Sequence, residues 1–441
     1  MYCTSCGRRI DDASAFCPGC GRPLRGLRPA APGPARRAAP AAKPHRRKKS
    51  PAALIVLVLL LVAAGLFWLF RDRLPARESG ARETARPADG EALSETAGDL
   101  IPHFDERYYI NTLSDEDLDV FCRVYEAVSE YRETCALPSG TSDRQLKLCW
   151  YLLQLECPEL FHVDYARPLN YTRGAGLTLE LSGNYVLRER DYRSALKDCR
   201  EALDQIAAEG EALDEWGREE LVFRALAENC RYDTQADFCA TAYGALIGGR
   251  AKCDGISLAL KWALEEFGIP SLIVTGTSLD DGVGHAWNMV CLDRHWYNVD
   301  LTPSVRRSGE TQDIPELVYH SFNVSDAWME EDYSLSELPE GLESKPRCRT
   351  MDQSWYVRSG DFVFAGEDPM DLISGRLRRI ADDGSGSVEL QFESRREARA
   401  FFDALDGELQ RWIDREAPDA RFGSYSSTLL NDRFLLIRFE P

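Results

Sequence analysis

The sequence predicts an α+β protein, and three patterns carry that prediction. Residues 100–231 repeat apolar positions at three- and four-residue spacing in successive capped segments, the period of helices buried on one face. Residues 242–302 then read as a helix, a glycine turn, a long apolar helix and three strands, "SLIVTG", "HAWNMVCL" and "HWYNVDLT". The tail holds "GSVELQFES", a helix over "REARAFFDALDGELQRWIDREA" and "STLLNDRFLLIRFE", which together predict a β-α-β unit.

At 441 residues the chain is long enough for two or three folded units, and its 44% apolar content suits a buried core. The net charge of −19 conceals an asymmetry, because residues 1–51 carry twelve Lys/Arg against only Asp11 and Asp12. The acid lies beyond that basic head. Between the two stands "AALIVLVLLLVAAGLFWLF", residues 52–70, with no charge and no proline. Its length approaches the roughly 20 residues that span a bilayer as a helix, and it exceeds the apolar core of a cleaved leader. It therefore predicts a single uncleaved transmembrane helix, with Trp68 at an interface. Twelve basic residues before the span, against five over 71–90, place the N-terminus in the cytoplasm and everything after residue 71 outside.

Residues 1–24 hold Cys3, Cys6, Cys17 and Cys20 as two C-x2-C pairs, with Gly7 and Gly21 after each second cysteine. Four thiolates on two such knuckles predict a closed tetrahedral zinc site of the structural kind, with no open position for catalysis. The segment resembles a short zinc-ribbon, and its partner is not written in the sequence. Residues 25–51, rich in Pro, Ala and Arg, read as a disordered linker beside anionic lipid. Their charge reads as an orientation signal rather than a nucleic-acid surface. Residues 71–98 form a second polar spacer.

Within the helical region, "SDEDLDVFCRVYEAVSEYRE" opens on Ser114 as N-cap with an acidic first turn. "SDRQLKLCWYLLQLECPELF" starts at Ser142 and stops before Pro158. "RSALKDCREALDQIAAEG" and "EWGREELVFRALAENCRYD" are two more helices, preceded by "GLTLELSGNYVLRE", which predicts a hairpin turning at "SGN". The segment "VYHSFNVSDAWMEEDYSL" reads as polar and irregular.

Cys253 begins the long apolar helix, where unpaired N–H groups and the positive end of the helix dipole favour a thiolate. His285 starts the second strand and Asp300 ends the third. A turn through Asp293 and Arg294 would set Leu292 opposite His295, and would then place Asp300 one diagonal away from His285 on the same sheet face. The sequence thus permits a Cys–His–Asp triad: Cys253 as nucleophile, His285 as base, Asp300 fixing the ring.

The run "AYGALIGGRAKCDGISLALKWALEEFGIPSLIVTG…GHAWNMVCLDRHWYNVDLTPS" resembles the transglutaminase-like superfamily in its bacterial cell-surface branch, with Cys253, His285 and Asp300 on that family's Cys, "HAW" and "W-Y-x-V-D-x-T" positions. The likeness extends over roughly residues 100–365, because "CWYLLQLECPELFHVDY", "SFNVSDAWMEEDYSL" and "CRTMDQSWYV" also match. It implies a papain-like core over 232–365 after a helical region over 99–231, with a C-terminal region over 366–441. It also implies thioester acyl-enzyme chemistry on protein or peptide amides outside the cell, by hydrolysis or by transfer to an amine, with no catalytic cofactor. The backbone N–H of Cys253 and the Tyr243 side chain are the candidate oxyanion donors. Nine further cysteines beyond the span read mainly as free, buried thiols. Two other readings stay open: an inactive module that binds protein or cell wall, and a sensor whose function resides in the ribbon.

Overall fold

A computed structural model describes residues 96–307 and 319–441 of the chain. The ribbon cysteines, the basic linker, the span over 52–70 and the spacer up to residue 95 lie outside the described residues. Among the described residues no helix is long and apolar enough to cross a membrane.

The helical region follows its caps. The first long helix, α1 (Asp115–Ser129), starts where the Ser114 side chain accepts the Asp117 N–H, and it buries Leu118, Phe121, Val124 and Val128. After strand β1 (Thr134–Leu137), α2 (Asp143–Glu156) opens on a reciprocal capping box between Ser142 and Gln145. It ends at Cys157, ahead of Pro158, whose missing N–H and ring bar another helical turn. Strands β2 (Asn170–Arg173) and β3 (Leu177–Glu180) join β1 in an antiparallel sheet of order β1-β3-β2. This corrects the hairpin expected at "SGN". Those residues form a 3-10 turn after β3, and β3 instead pairs back to β2 across Gly174–Gly176, with Leu177 and Leu179 buried between two partner strands. Helices α3 (Glu189–Glu209) and α4 (Glu215–Asn229) close the region.

Strand β4 (Arg231–Tyr232), helix α5 (Ala242–Leu246) and strand β5 (Arg250–Ala251) lead into α6 (Cys253–Glu265), which is buried over almost its whole length. Strands β6 (Ser271–Ser278), β7 (Gly284–Leu292) and β8 (His295–Asp300) follow. Asp293 and Arg294, at φ of 48° and 65°, turn β7 into β8, a two-residue turn whose twist suits a hairpin. Leu292 pairs with His295 and Asn288 with Val299, the register that a turn through Asp293 and Arg294 implies. The short β9 (Arg306–Arg307) lies parallel to β4, on whose other side β5 pairs.

The segment read as irregular supplies two more strands, which is a second correction. Strands β10 (Ser321–Val324) and β11 (Tyr333–Leu335), joined through helix α7 (Asp326–Met329), complete a five-stranded antiparallel sheet of order β10-β8-β7-β6-β11. All four β10 residues are buried, and Asn323 breaks the register at a φ of 57°, so no alternation marks the strand in the sequence.

The tail is richer than β-α-β. Strand β12 (Phe362–Val363), helix α8 (Pro369–Asp383), β13 (Gly386–Phe392), helix α9 (Arg395–Glu416), β14 (Ser424–Leu430) and β15 (Phe434–Glu440) build a sheet of order β12-β13-β15-β14. Asn431 and Asp432, both at positive φ, split "STLLNDRFLLIRFE" into two antiparallel strands. Leu377, Leu390, Leu405, Leu409, Leu435 and Ile437 form a core of their own there.

A buried charge network ties the helical region to α6. Arg107 donates to both oxygens of Glu159 at 3.0 Å and to Glu265 at 3.4 Å, and Tyr125 donates to Glu159 at 2.8 Å. Lys261 ion-pairs with Glu265 at 2.9 Å and Glu156 at 3.2 Å, and donates to the Ser271 carbonyl at 2.6 Å. Burial, only partly offset by Lys261, holds the Glu156 carboxyl above its usual range.

Candidate active site

Cys253 is the first residue of α6. Its N-cap, Lys252, is extended and offers no side-chain acceptor, so the first-turn N–H groups have no side-chain cap beside the sulfur. The helix start is fixed by close backbone approach. A Cβ on Gly255 would come within 2.4 Å of the Cys239 carbonyl oxygen and 2.8 Å of that of Thr241, and the Lys252 N–H donates to Cys239 at 2.9 Å. Asp254 ion-pairs with Lys252 at 2.6 Å, and the Cys253 thiol lies 3.8 Å from the other Asp254 oxygen.

α6 is pinned to β7 one residue past His285. The Ser257 hydroxyl donates to the Ala286 carbonyl at 3.2 Å, and the Asn288 amide donates to the Ser257 carbonyl at 3.0 Å. The pinning brings Cys253 and His285 to the same end of the helix–sheet pair. His285 Nε2 meets Asp300 Oδ2 at 2.8 Å, and the other Asp300 oxygen accepts the Thr302 N–H at 3.0 Å. Asp300 is 1% exposed. With Nε2 engaged by Asp300, Nδ1 is the ring nitrogen left to serve the thiol. Burial alone would lower the pKa of His285. The charge and hydrogen bond of Asp300, followed by the hydrogen bond and charge of Cys253, instead raise it to about 10.

Two aromatic rings frame the imidazole. Tyr333 stacks on it at a centroid distance of 4.8 Å and an interplanar angle of 19°, and Trp287 lies 6.0 Å away. Burial holds the Tyr333 phenol well above its usual pKa, reinforced by Asp300, Asp332 and Cys253. Trp287 donates to Asn298 at 3.0 Å, and Asn298 in turn reaches Asp326 at 3.3 Å. Gly276 lets β11 approach, because a Cβ there would lie 2.6 Å from the Ser334 carbonyl oxygen.

Cys253, His285 and Asp300 are thus brought together. Tyr243 is engaged elsewhere, its ring packing on Phe161 at 5.1 Å and Phe238 at 5.5 Å. His295 is exposed, with Nδ1 3.0 Å from the Asp293 carbonyl oxygen. Cys3, Cys6, Cys17 and Cys20 fall outside the described residues, and among those described no cluster of His, Cys, Asp or Glu is arranged to hold a metal. Sequence reasoning misses Tyr333, whose "EDYSL" context has no periodicity, and Asn298, whose side chain is buried. The nine other described cysteines differ chemically from a poised nucleophile. Burial is the leading cause that pushes up each of their thiols, to about 11 for Cys122, Cys135 and Cys230 and to about 12 for Cys199.

Residues 204–301 match the transglutaminase-like superfamily, and residues 2–24 match a zinc-ribbon domain. No curated protein matches the chain. Among solved structures it is similar to a TGase crystal structure, at 15% identity and a TM-score of 0.25, over 46% of this chain and 53% of that one. It is also similar to a Cytophaga hutchinsonii protein named as a candidate cysteine protease, at 12% identity and a TM-score of 0.22, over 31% and 62% of the two chains. A Parabacteroides distasonis protein named as a candidate protease matches at 8% identity and a TM-score of 0.21, over 62% and 61%. The chain spans less than two thirds of the length of each of these. It carries a transglutaminase-like domain over residues 204–301 and a zinc-ribbon domain over residues 2–24, and its described residues have a mixed α+β fold.

Proposed function

We propose that this protein is a membrane-anchored cysteine acyl-transfer enzyme that acts on protein or peptide amides outside the cell. The observation that carries the proposal is the 2.8 Å contact of His285 with Asp300 beside the first residue of α6. The Cys253 sulfur attacks the amide carbonyl carbon, and the protonated ring of His285, held by Asp300, gives its proton to the departing nitrogen. The negative oxygen that forms is met by the Cys253 N–H at the start of α6. The product is a thioester on Cys253. Water or an amine then attacks it while His285 takes the proton, which gives hydrolysis or cross-linking respectively.

Cys3, Cys6, Cys17 and Cys20 supply an all-thiolate donor set that suits one tetrahedral Zn2+. That ion would tie the ribbon together and takes no part in acyl transfer. Residues 52–70 supply the anchor, residues 1–51 remain cytoplasmic, and the partner of the ribbon is a separate question.

The test incubates the full chain with a glutamine-containing dipeptide amide and hydroxylamine, and follows ammonia and hydroxamate. Ammonia release that is lost in Cys253→Ala supports the enzyme, and hydroxamate at the expense of free acid identifies transfer. Turnover that persists in Cys253→Ala would refute it. Absence of turnover, with Cys253 no more reactive to iodoacetamide than the other thiols, would leave a binding module on the same fold.

A further inference from the structure

The C-terminal region contacts the strand that covers His285. Strand β11 is only three residues long, pairing Tyr333 with Ser278, Ser334 with Thr277 and Leu335 with Gly276. A strand this short draws little from its own ladder, so what holds its start decides where Tyr333 lies. That start is the pair Glu331–Asp332, whose backbone is tied by the Asp332 N–H to Met329 at 3.0 Å and by the Leu279 N–H to Asp332 at 2.8 Å. Two arginines from different C-terminal elements converge on the side chains of this pair. Arg395, the first residue of α9, donates to Asp332 at 2.5 Å and approaches Glu331 at 3.3 Å. Arg433, immediately before β15, ion-pairs with Glu331. Its side chain is only 3% exposed, and its guanidinium lies 3.8 Å from the Trp328 ring centroid. A guanidinium this buried requires a carboxylate partner, which draws Glu331 to a set place.

We propose that the C-terminal region positions the histidine of the site: Arg395 and Arg433 clamp Glu331 and Asp332, and the clamp delivers the Tyr333 ring onto His285. The inference rests on the reading of Cys253, His285 and Asp300 given above. Stacking at 4.8 Å fixes the plane of the imidazole, so that Nε2 stays on Asp300 and Nδ1 stays turned to the sulfur. It also excludes water from one face of the ring, and a π-face suits a cationic imidazole. Tyr333, Arg395 and Arg433 are positioning residues under this proposal, and the ring of Tyr333 matters rather than its hydroxyl.

The experiment measures the rate at which iodoacetamide labels Cys253 in the full chain at neutral pH, with each variant checked for a native near-ultraviolet dichroism spectrum. The variants are Tyr333→Leu, Tyr333→Phe, Arg395→Ala with Arg433→Ala, Arg395→Lys, and Arg399→Ala. Arg399 is the control, since it lies on the same helix but pairs with Asp432 and not with the clamp. Tyr333→Leu and the double arginine variant are expected to slow labelling by about tenfold to a hundredfold, whereas Tyr333→Phe, Arg395→Lys and Arg399→Ala stay within about threefold of the parent. The rescue by Phe and by Lys is what a purely structural role would not produce. Should the double variant not fold, Arg395→Ala alone takes its place, with the same slowing expected and parent-like labelling overturning the clamp. Parent-like labelling in Tyr333→Leu or in the folded double variant, or an equal loss in Arg399→Ala, would overturn the clamp and leave the Cys–His–Asp reading intact. If the parent protein labels Cys253 no faster than its other thiols, or if His285→Ala does not slow it, that underlying reading fails and the clamp with it.

Discussion

Asp300 divides its two oxygens between the His285 ring, at 2.8 Å, and the Thr302 N–H, at 3.0 Å. One carboxylate thereby holds both the orientation of the imidazole on β7 and the end of its own strand, β8. Replacing it by alanine frees the ring to rotate away from Cys253 and removes the charge that favours the imidazolium. Asp300→Ala is expected to slow labelling of Cys253 by iodoacetamide about a hundredfold or more, close to the loss in His285→Ala. Peptide mapping by mass spectrometry checks this, with the nine other described cysteines as internal standards because burial disfavours each of their thiolates. A loss below about threefold in Asp300→Ala would show that the carboxylate serves the fold alone.

The same pair sets a pH dependence of stability. His285 is raised from 6.5 to about 10, so its charged form is favoured by folding. The stabilisation is complete below pH 6.5, where the unfolded ring is also charged, and it is lost as pH rises through about 10. Urea midpoints of the parent and of His285→Gln should differ most at pH 6 and converge towards pH 10. A gap that widens with pH would reverse the sign and exclude an imidazolium in the folded protein.

The hairpin that delivers His285 and Asp300 to one place is legible in the sequence because its register depends on local facts. Two residues at positive φ turn it, and the side-chain period of two then fixes every pairing up to Asn288 and Val299. The helix caps at Ser114 and Ser142 are local in the same way. Tyr333 is not legible, because a three-residue edge strand has no periodicity of its own and its anchors, Arg395 and Arg433, lie in a region with a separate core. Lys261 and Glu265 lie on the apolar helix α6 with fully buried side chains, which a local reading of that helix does not reveal. Their burial depends on Glu156, Glu159 and Arg107, which come from elements far away in the chain.

That network gives a stability prediction. Lys261 stands between two fully buried carboxylates, Glu156 and Glu265, at 3.2 and 2.9 Å. Removing the ammonium alone leaves carboxylates buried with less compensation, a change that costs about 3–5 kcal/mol. Lys261→Met should lower the urea midpoint accordingly. Lys261→Met combined with Glu156→Gln should recover part of the loss, because Glu156 already sits above its usual carboxyl range and gives up its charge readily. A double variant as unstable as the single one would locate the cost in packing rather than charge.

The ribbon and the acyl-transfer site should separate under a chelator. Four thiolates at Cys3, Cys6, Cys17 and Cys20 predict about one Zn2+ per chain, released on chelation and absent from Cys17→Ser. The rate of Cys253 labelling is expected to be the same before and after release. Metal content by atomic absorption, with labelling measured on the same samples, checks both halves. A fall in labelling that tracks zinc loss would join the two regions functionally.

Gly255 tests whether the position of α6 matters apart from its stability. The third residue of the helix faces the Cys239 and Thr241 carbonyl oxygens so closely that a methyl group would sit 2.4 Å from the first and 2.8 Å from the second. Backbone cannot swing aside as a side-chain tip can, so Gly255→Ala must displace the helix start or the 239–241 segment. Overpacking of this kind costs about 1–3 kcal/mol, which a folded domain can survive. The displaced element carries Cys253, two residues upstream, while His285 remains fixed in the sheet. Labelling of Cys253 should therefore drop about tenfold to a hundredfold, well beyond the change in the folded fraction. The control is Gly375→Ala in α8, where a Cβ meets nothing within 4 Å and neither stability nor labelling should fall. Parent-like labelling in a destabilised Gly255→Ala would mean that α6 tolerates movement and that the sulfur finds His285 by its own rotation.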